Sequence, residues 1–336
     1  MYRVLVTGGA GFIGSNFVRY ALRRHEDWSI TVLDKLTYAG RRENLADLDS
    51  DPRFSFVRGD VADAALVDRL AAEADAIINF AAETHVDRSL LDAGEFINTD
   101  VYGAYVLMEA AKRRSLHRVI QISTDEVYGS VESGQSLETD RLNPRNPYSA
   151  SKAGGEVMAR AYYQSFDLPV IVTRSSNNFG PYHYPEKLIP LFVTNAIDDL
   201  PLPMYGDGLQ VRDWIYVLDH CSAIDLILDK GEPGEIYNVG GGNERTNREL
   251  TYLILEILGK PESLIQTVKD RPGHDRRYAL DSGKIRSLGW KPRYRFEDAL
   301  ADTVRWYQDN EWWWRPIKSG EYTEYYSRQY GERLKA

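Results

Sequence analysis

Tyr148 and Lys152 stand four residues apart in the segment Tyr148-Ser149-Ala150-Ser151-Lys152. On a helix that spacing puts both side chains on one face. A tyrosine titrates near about 10, too high for an effective base at neutral pH, but a nearby ammonium and a cationic ring favour the phenolate. Such a pair suits taking a proton from an alcohol while a hydride leaves the same carbon. Upstream, Asp125 and Glu126 are adjacent. Two carboxyl groups at one place can supply a base to remove a C–H proton beside a carbonyl and an acid to protonate a departing oxygen. Neighbours on a strand point to opposite faces, so a strand must have ended by Asp125 if both acids are to meet one substrate.

A hydride needs an acceptor, and the N-terminus offers a place for one. Thr7-Gly8-Gly9-Ala10-Gly11-Phe12-Ile13-Gly14 follows an apolar run and opens a helical pattern. Glycines at i, i+3 and i+6 allow a tight turn, close backbone approach to a pyrophosphate and close helix–strand packing. The phosphates then meet the free N–H groups and positive dipole end of a helix. Asp34 lies 20 residues after Gly14, where a carboxylate binds adenosine ribose hydroxyls. It would repel a 2′-phosphate, so NAD is expected over NADP. Asp60 and Val61 end a third apolar run and could edge the adenine, although Asp60 could equally cap a helix. Phe80, Ala81 and Ala82 end a fourth, with small residues that admit a cofactor.

The elements that must carry these groups form a regular series. Apolar, β-branched runs at 4–7, 30–34, 54–59, 76–80, 119–123 and 170–174 alternate with helical patterns near 12–25, 63–73, 95–113 and 147–167. That alternation predicts crossovers and an α/β, Rossmann-type doubly wound parallel sheet over residues 1–175, buried on both faces. After about 175 the rhythm breaks at Asn177-Asn178-Phe179-Gly180-Pro181-Tyr182. Helical patterns return near 186–198, 217–229, 246–258 and 296–309. Residues 176–336 read mainly as a smaller C-terminal substrate-binding lobe over the carboxyl edge of the sheet, lending an element back to it. Trp312-Trp313-Trp314 and several tyrosines make the tail too aromatic for a solvated segment, so it is expected to pack on the body.

Composition narrows the partners. A net charge of −9 argues against a nucleic-acid surface. No stretch nears 18 consecutive apolar residues, so no membrane span is expected. The start runs directly into strand-like Arg3-Val4-Leu5, not a signal peptide. The one cysteine, Cys221, cannot form an internal disulfide, which fits the cytoplasm. His85 and His274 have no companion ligands at metal spacing, so no metal is expected. Arg212 and Arg271 are candidate phosphate clamps, because guanidinium groups match phosphate oxygens in pairs.

The glycine turn and the Tyr-x-x-x-Lys pair resemble the extended short-chain dehydrogenase/reductases. More narrowly, several segments resemble the dTDP-glucose 4,6-dehydratases: Asp34-Lys35-Leu36-Thr37-Tyr38-Ala39-Gly40, Glu83-Thr84-His85-Val86-Asp87-Arg88-Ser89, Ser123-Thr124-Asp125-Glu126-Val127-Tyr128-Gly129, Pro185-Glu186-Lys187-Leu188-Ile189-Pro190 and Asp270-Arg271-Pro272-Gly273-His274-Asp275. The resemblance runs from about residue 3 to 315. The Thr-Asp-Glu triplet is its most specific element, since epimerases of the superfamily usually carry Ser or Ala there.

The resemblance implies a lyase. It would oxidise C4 of dTDP-glucose, eliminate water across C5–C6 and return the hydride to C6. It implies that Asp125 is the acid, Glu126 the base and Thr124 a hydrogen-bond donor to the sugar's 4-oxygen. It adds Lys35, Leu36, Thr37, Thr99 and Asn178 to the cofactor site. For the nucleotide sugar it implies Thr84, Asn177, Lys187, Leu188, Pro203, Met204, Tyr205, Asn247 and Asp270, with Arg271, Pro272, Gly273 and His274, Tyr205 stacking on thymine. It also implies a homodimer paired through the helices near 95–113 and 147–167, which carry Val101, Tyr105, Val106, Tyr162 and Tyr163 beyond one apolar stripe. The sequence departs from the family at Ser175, where Cys is common, and at Phe179, where Tyr is common. A UDP-sugar 4,6-dehydratase or a 4-epimerase on the same scaffold, or a non-catalytic NAD-binding scaffold protein, are the other readings. The acid pair speaks against the epimerase, and the intact Tyr148 and Lys152 against the scaffold.

Overall fold

A computed structural model describes residues 1–270, 275–331 and 334. Twelve strands occur among these residues. They are β1 (Tyr2–Thr7), β2 (Trp28–Asp34), β3 (Phe54–Arg58), β4 (Ala76–Asn79), β5 (Arg118–Thr124), β6 (Val170–Ser175), β7 (Asn177–Phe179), β8 (Leu202–Tyr205), β9 (Val211–Tyr216), β10 (Ile236–Val239), β11 (Glu244–Thr246) and β12 (Ile265–Val268). Seven form one parallel sheet in the order β10-β6-β5-β4-β1-β2-β3. The chain leaves β1 toward β2 on one side and later returns to β4 on the other. Between β1 and β4 the strand order therefore reverses, which is where such sheets bind ligands.

Both faces of the sheet are buried, because successive strand residues are apolar on both sides. Val4, Val6, Ile30, Val32 and Ile78 pack on one face with Phe17 and Val18 of the helix Phe12–Arg24 and Ile224 and Ile227 of Val217–Lys230. Leu5, Leu33, Ile77 and Val170 pack on the other with Val67, Leu107 and Tyr162 from the helices Ala64–Ala71, Gly103–Arg114 and Pro147–Phe166. The later part of the chain thus contributes β10 and Val217–Lys230 to the sheet layer.

A third core holds the rest together. Phe179, Phe192, Trp214, Ile254, Phe296, Leu300, Tyr307, Trp313 and Trp314 are buried in it. Two tryptophans of the aromatic tail are thereby anchored: Trp313 Nε1 donates to Asn44 Oδ1 at 2.7 Å and Trp314 Nε1 to the Tyr307 carbonyl at 2.8 Å. Trp312 departs from the expected packing and is 59% exposed. The helix expected over 95–113 is not continuous. A short turn, Gly94–Phe96, leads into a π-helical turn, Ile97–Tyr102, before the α-helix Gly103–Arg114. Single π turns widen a helix locally and often accompany functional sites.

Candidate active site

A cavity of about 420 Å³ opens at the carboxyl ends of β1, β2, β4, β5 and β6 and is roofed by the third core. Its floor begins at the glycine turn. Gly8 has a φ of 69°, and a Cβ there would stand 2.5 Å from the Ala81 nitrogen, so only glycine fits. Gly11 precedes the helix Phe12–Arg24 and makes no side-chain cap, so N–H groups of the first turn remain for a ligand. Asp34 ends β2 and is buried; its two oxygens accept the N–H groups of Ala10 at 2.9 Å and Leu36 at 2.8 Å. Burial pushes its carboxyl up while those two N–H groups pull it down.

Gly8, Gly11, Phe12, Ile13, Gly14, Asp34, Lys35, Thr37, Asp60, Val61, Phe80, Ala81, Ala82, Thr99 and Asn178 all line this cavity. Leu36 does not; it packs against the core beside the helix Phe12–Arg24, and its backbone serves by steadying Asp34. Asp60 does not cap a helix. Asp63 does that, accepting from Ala65 and Leu66 at 3.1 and 3.0 Å, while Asp60 pairs with Lys35 at 2.8 Å.

The adjacent acids reach one cavity because the strand ends before them. β5 stops at Thr124, and Asp125–Tyr128 curls into a 3₁₀ turn capped by Thr124 Oγ1, which accepts the Glu126 N–H at 3.3 Å. The period-2 alternation stops one residue before the pair, and both acids line the same cavity. Asp125 is 3% exposed. Burial and the Glu126 charge push its carboxyl up to about 8, so it stays a proton donor at neutral pH.

Tyr148 and Lys152 face them from the start of the helix Pro147–Phe166. That start is fixed by Asn146, whose side chain accepts the Ser149 N–H at 2.9 Å in a reciprocal capping box, with Pro147 in the first turn. Lys152 is buried, which lowers its ammonium, while the charges of Asp100 and Glu156 hold it up. Tyr148 behaves differently from the sequence expectation. In the polypeptide by itself burial and the charges of Glu126, Asp100 and Asp125 push the phenol well above its usual range, and a hydrogen bond with Thr124 pulls the other way. The three carboxylates outweigh Lys152, so a positive charge from a bound ligand is what must lower it.

Two groups in this neighbourhood escape a reading of the sequence. Asp100 sits on the π turn and accepts from Ser151 Oγ at 2.5 Å and from the Glu83 N–H at 3.0 Å, joining the cavity wall to the Tyr148 helix. Burial pushes its carboxyl up to about 6. Glu83 lines the cavity, and burial and Asp100 push it up to about 7. Glu83 opens one of the family-like segments, which is a signal of sorts. Asp100 carries none, because its role depends on where a π turn places it.

Of the residues expected around the sugar nucleotide, Thr84, Thr124, Asn177, Lys187, Leu188, Pro203, Met204, Tyr205, Arg212 and Asn247 line the cavity. Lys187 Nζ donates to Thr84 Oγ1 at 3.2 Å. Arg212 lies 4.4 Å over the Tyr278 ring and donates to the Asp275 carbonyl at 3.0 Å. Asp270 stands back from the wall, accepting from Gln210 at 2.9 Å. Arg271, Pro272, Gly273 and His274 lie outside the described residues. Tyr330, from the aromatic tail, also lines the cavity, and Gln329 donates to the Tyr205 hydroxyl at 2.8 Å. Phe179 is outside the cavity, in the third core, 5.3 Å from Phe296, so a hydroxyl there would meet an apolar neighbourhood. Among the described residues no group of three or more His, Cys, Asp or Glu is disposed to hold a metal ion.

Comparison with known proteins agrees with this arrangement. Residues 5–303 match the family model described as GDP-mannose 4,6 dehydratase. A dTDP-glucose 4,6-dehydratase of Streptomyces antibioticus is 52% identical over 321 residues, covering 94% of this chain and 95% of that protein. The crystal structure of DesIV, a dTDP-glucose 4,6-dehydratase from Streptomyces venezuelae with NAD bound, superposes with a TM-score of 0.92 at 54% identity, covering 94% of this chain and all of that one (100%). A UDP-glucose 4-epimerase from Thermus thermophilus in complex with NAD gives a TM-score of 0.84 at 34% identity, covering 92% and 99%.

Proposed function

The chain belongs to the GDP-mannose 4,6 dehydratase family, and on that premise we propose that it converts dTDP-glucose to its 4-keto-6-deoxy derivative with NAD held in the cavity. One observation carries this reading: a Tyr-Lys pair for C4 oxidation and an acid pair for elimination share a single cavity.

The residues present fit NAD. The glycine turn offers a helix N-terminus without a side-chain cap, and Thr99 Oγ1 is buried with no partner among the described residues. Gly8, Gly11 and Gly14 would hold the pyrophosphate, Asp34 the adenosine ribose, Asp60 and Val61 the adenine edge, and Lys152, Tyr148 and Asn178 the nicotinamide side. The chemistry NAD supplies when bound is reversible hydride transfer, out of C4 and back into C6. Everything else falls to the chain. Tyr148 takes the O4 proton, with Lys152 favouring the phenolate and Thr124 holding the oxygen. The ketone acidifies C5–H, which an unactivated sugar does not offer. Glu126 removes that proton, Asp125 protonates O6 as it leaves, and Glu126 returns the proton to C5. The buried orphan oxygens of Asn177 and Asn247 and the stacked guanidinium of Arg212 suit the polar groups of a nucleoside diphosphate.

We infer a homodimer as well. Val106 and Tyr162 turn into the domain's own core, but Ile97, Tyr102, Tyr105 and Val157 remain exposed on the same two helices. No helix among the described residues is long and apolar enough to cross a membrane, and a single buried thiol, Cys221, suits the reducing cytoplasm.

The test is direct. Incubation with dTDP-glucose and with UDP-glucose, followed by absorbance and mass, should give 4-keto-6-deoxy product from the first. Substrate deuterated at C4 should yield product deuterated at C6 without consuming free cofactor. Product that keeps its C6 hydroxyl would replace this reading with an epimerase or a simple oxidoreductase.

A further inference from the structure

The dehydratase reading, on which this inference rests, leaves one proton unaccounted for. Oxidation at C4 moves the O4 proton to the Tyr148 phenolate. Departure of O6 as water takes a proton from Asp125. The proton that Glu126 lifts from C5 goes back to C5, and the 4-keto product never reclaims the one from O4. A turnover therefore ends with Tyr148 protonated and Asp125 ionised. Sugar in, keto-sugar and water out, balances with no proton from solvent, provided that one proton passes from Tyr148 to Asp125.

A path one hydroxyl long joins them. Thr124 Oγ1 donates to Asp125 Oδ1 at 3.1 Å. The same Thr124 side chain hydrogen-bonds the Tyr148 phenol. Asp125 is buried, and its Oδ2 has no hydrogen-bond partner among the described residues. One oxygen is thus tied to Thr124 and the other is left for a ligand. Arg212, Glu126 and Asp213 act on Asp125 through charge. A hydroxyl has one donor and two acceptor sites, so it can receive a proton on one side while giving its own on the other.

We propose that Thr124 is the proton conduit that resets the site, carrying the proton Tyr148 took from O4 to the Asp125 carboxylate. In one concerted hop the Tyr148 O–H bond breaks as a new O–H forms on Thr124, and the original Thr124 O–H breaks as Asp125 gains its proton. The hydroxyl ends neutral, the phenolate and the carboxylic acid are both restored, and no electron moves.

Thr124→Val removes the hydroxyl with little change of shape, and Thr124→Ser keeps it. Holoenzyme is mixed rapidly with dTDP-glucose and 4-keto product is counted per site. Wild type and Thr124→Ser should run without a break from the first turnover. Thr124→Val should give a burst of about one product per site, then run at least tenfold slower. Its slow phase should quicken as imidazolium buffer is raised at constant pH and ionic strength, while wild type stays indifferent to buffer. A Thr124→Val protein whose first turnover is slowed as much as later ones, with no response to buffer, would mean that Thr124 only orients the sugar, and the proposal falls. In wild type alone, a pH-indicator dye in weak buffer should report no proton released to solution in step with the first product; stoichiometric release overturns the proposal without any variant. If wild type makes no 4-keto product from dTDP-glucose, it is the dehydratase reading that fails instead.

Discussion

The two chemical pairs in this cavity are held in different ways. Tyr148 and Lys152 sit on the opening turns of a 20-residue helix whose register is fixed by the Asn146 capping box. Their common face follows from helical period alone. Asp125 and Glu126 are neighbours in sequence, and in a continued strand they would face apart. They meet one cavity because β5 stops at Thr124 and a 3₁₀ turn begins. One pair is aligned by regular structure, the other by its interruption. An alignment set by repetition is readable from spacing, whereas one set by an ending depends on what ends the strand.

The sharpest way to separate the pairs is to remove one function at a time. Tyr148→Phe takes away the base for C4 oxidation. Turnover should fall by about two orders of magnitude or more, and C5–H exchange with deuterated solvent should vanish too, because no ketone forms to acidify it. Near-normal turnover would show that another group takes the O4 proton.

Glu126→Gln should stop net turnover as well, but at a later point. C4 oxidation should survive, so absorbance of the reduced nicotinamide should build up after substrate is added while C5–H exchange slows. If both signals disappear, the two pairs are not separable in the way their structures suggest.

The acid of the second pair should impose a pH limit. Burial and Glu126 raise Asp125 from an ordinary 3.8 to about 8. The proton-donating form is present below about 8 and lost above it, so the elimination limb should decline as pH rises through that value. The same shift bears on stability. Between about pH 4 and pH 8 the folded chain keeps a proton that the unfolded chain has released, so stability from this group falls with rising pH across that window. Asp125→Asn should flatten this decline, measurable as a smaller drop in Tm between pH 5 and pH 8. A steeper drop in the variant would contradict the assignment.

Cofactor choice tests the N-terminal half of the sheet. Protein stripped of cofactor should bind NAD more tightly than NADP, and Asp34→Ala should narrow the gap; equal or tighter NADP binding by the intact chain would remove the role given to Asp34. The smallest effect belongs to the cap. Asn146→Ala should cost about 1 kcal/mol, read as a lower midpoint in denaturant, because it strips one acceptor from the helix start. Rates should fall less than in Tyr148→Phe, since the rest of the helix still fixes the Tyr-Lys register.

Spacing and residue type carry much of this. The glycine turn, Asp34 and the Tyr-Lys pair can be located because each rests on a local rule: a backbone that tolerates no Cβ, a strand end, a helical period. Leu36 belongs to a cofactor-site motif by position, but its side chain turns into the core while its N–H holds Asp34. The helix expected over 95–113 hides a π turn, which no period reveals, and with it the buried Asp100. Tyr330 reaches the cavity from the far end of the chain, and the aromatic richness of the tail foretells packing without foretelling against what.

By itself the sequence determined the alternation of strands and helices, the turn that admits a pyrophosphate and the types of acid and base available, since these depend on residues within one or two turns of each other. Only the tertiary structure decided that the acids share a cavity with the Tyr-Lys pair, that Asp125 keeps its proton and that Tyr148 needs an external positive charge. Those properties come from burial and from charges brought together across the fold, from Asp100, Glu126 and Asp125 around one phenol, and desolvation and Coulomb energy depend on distances that sequence separation does not encode.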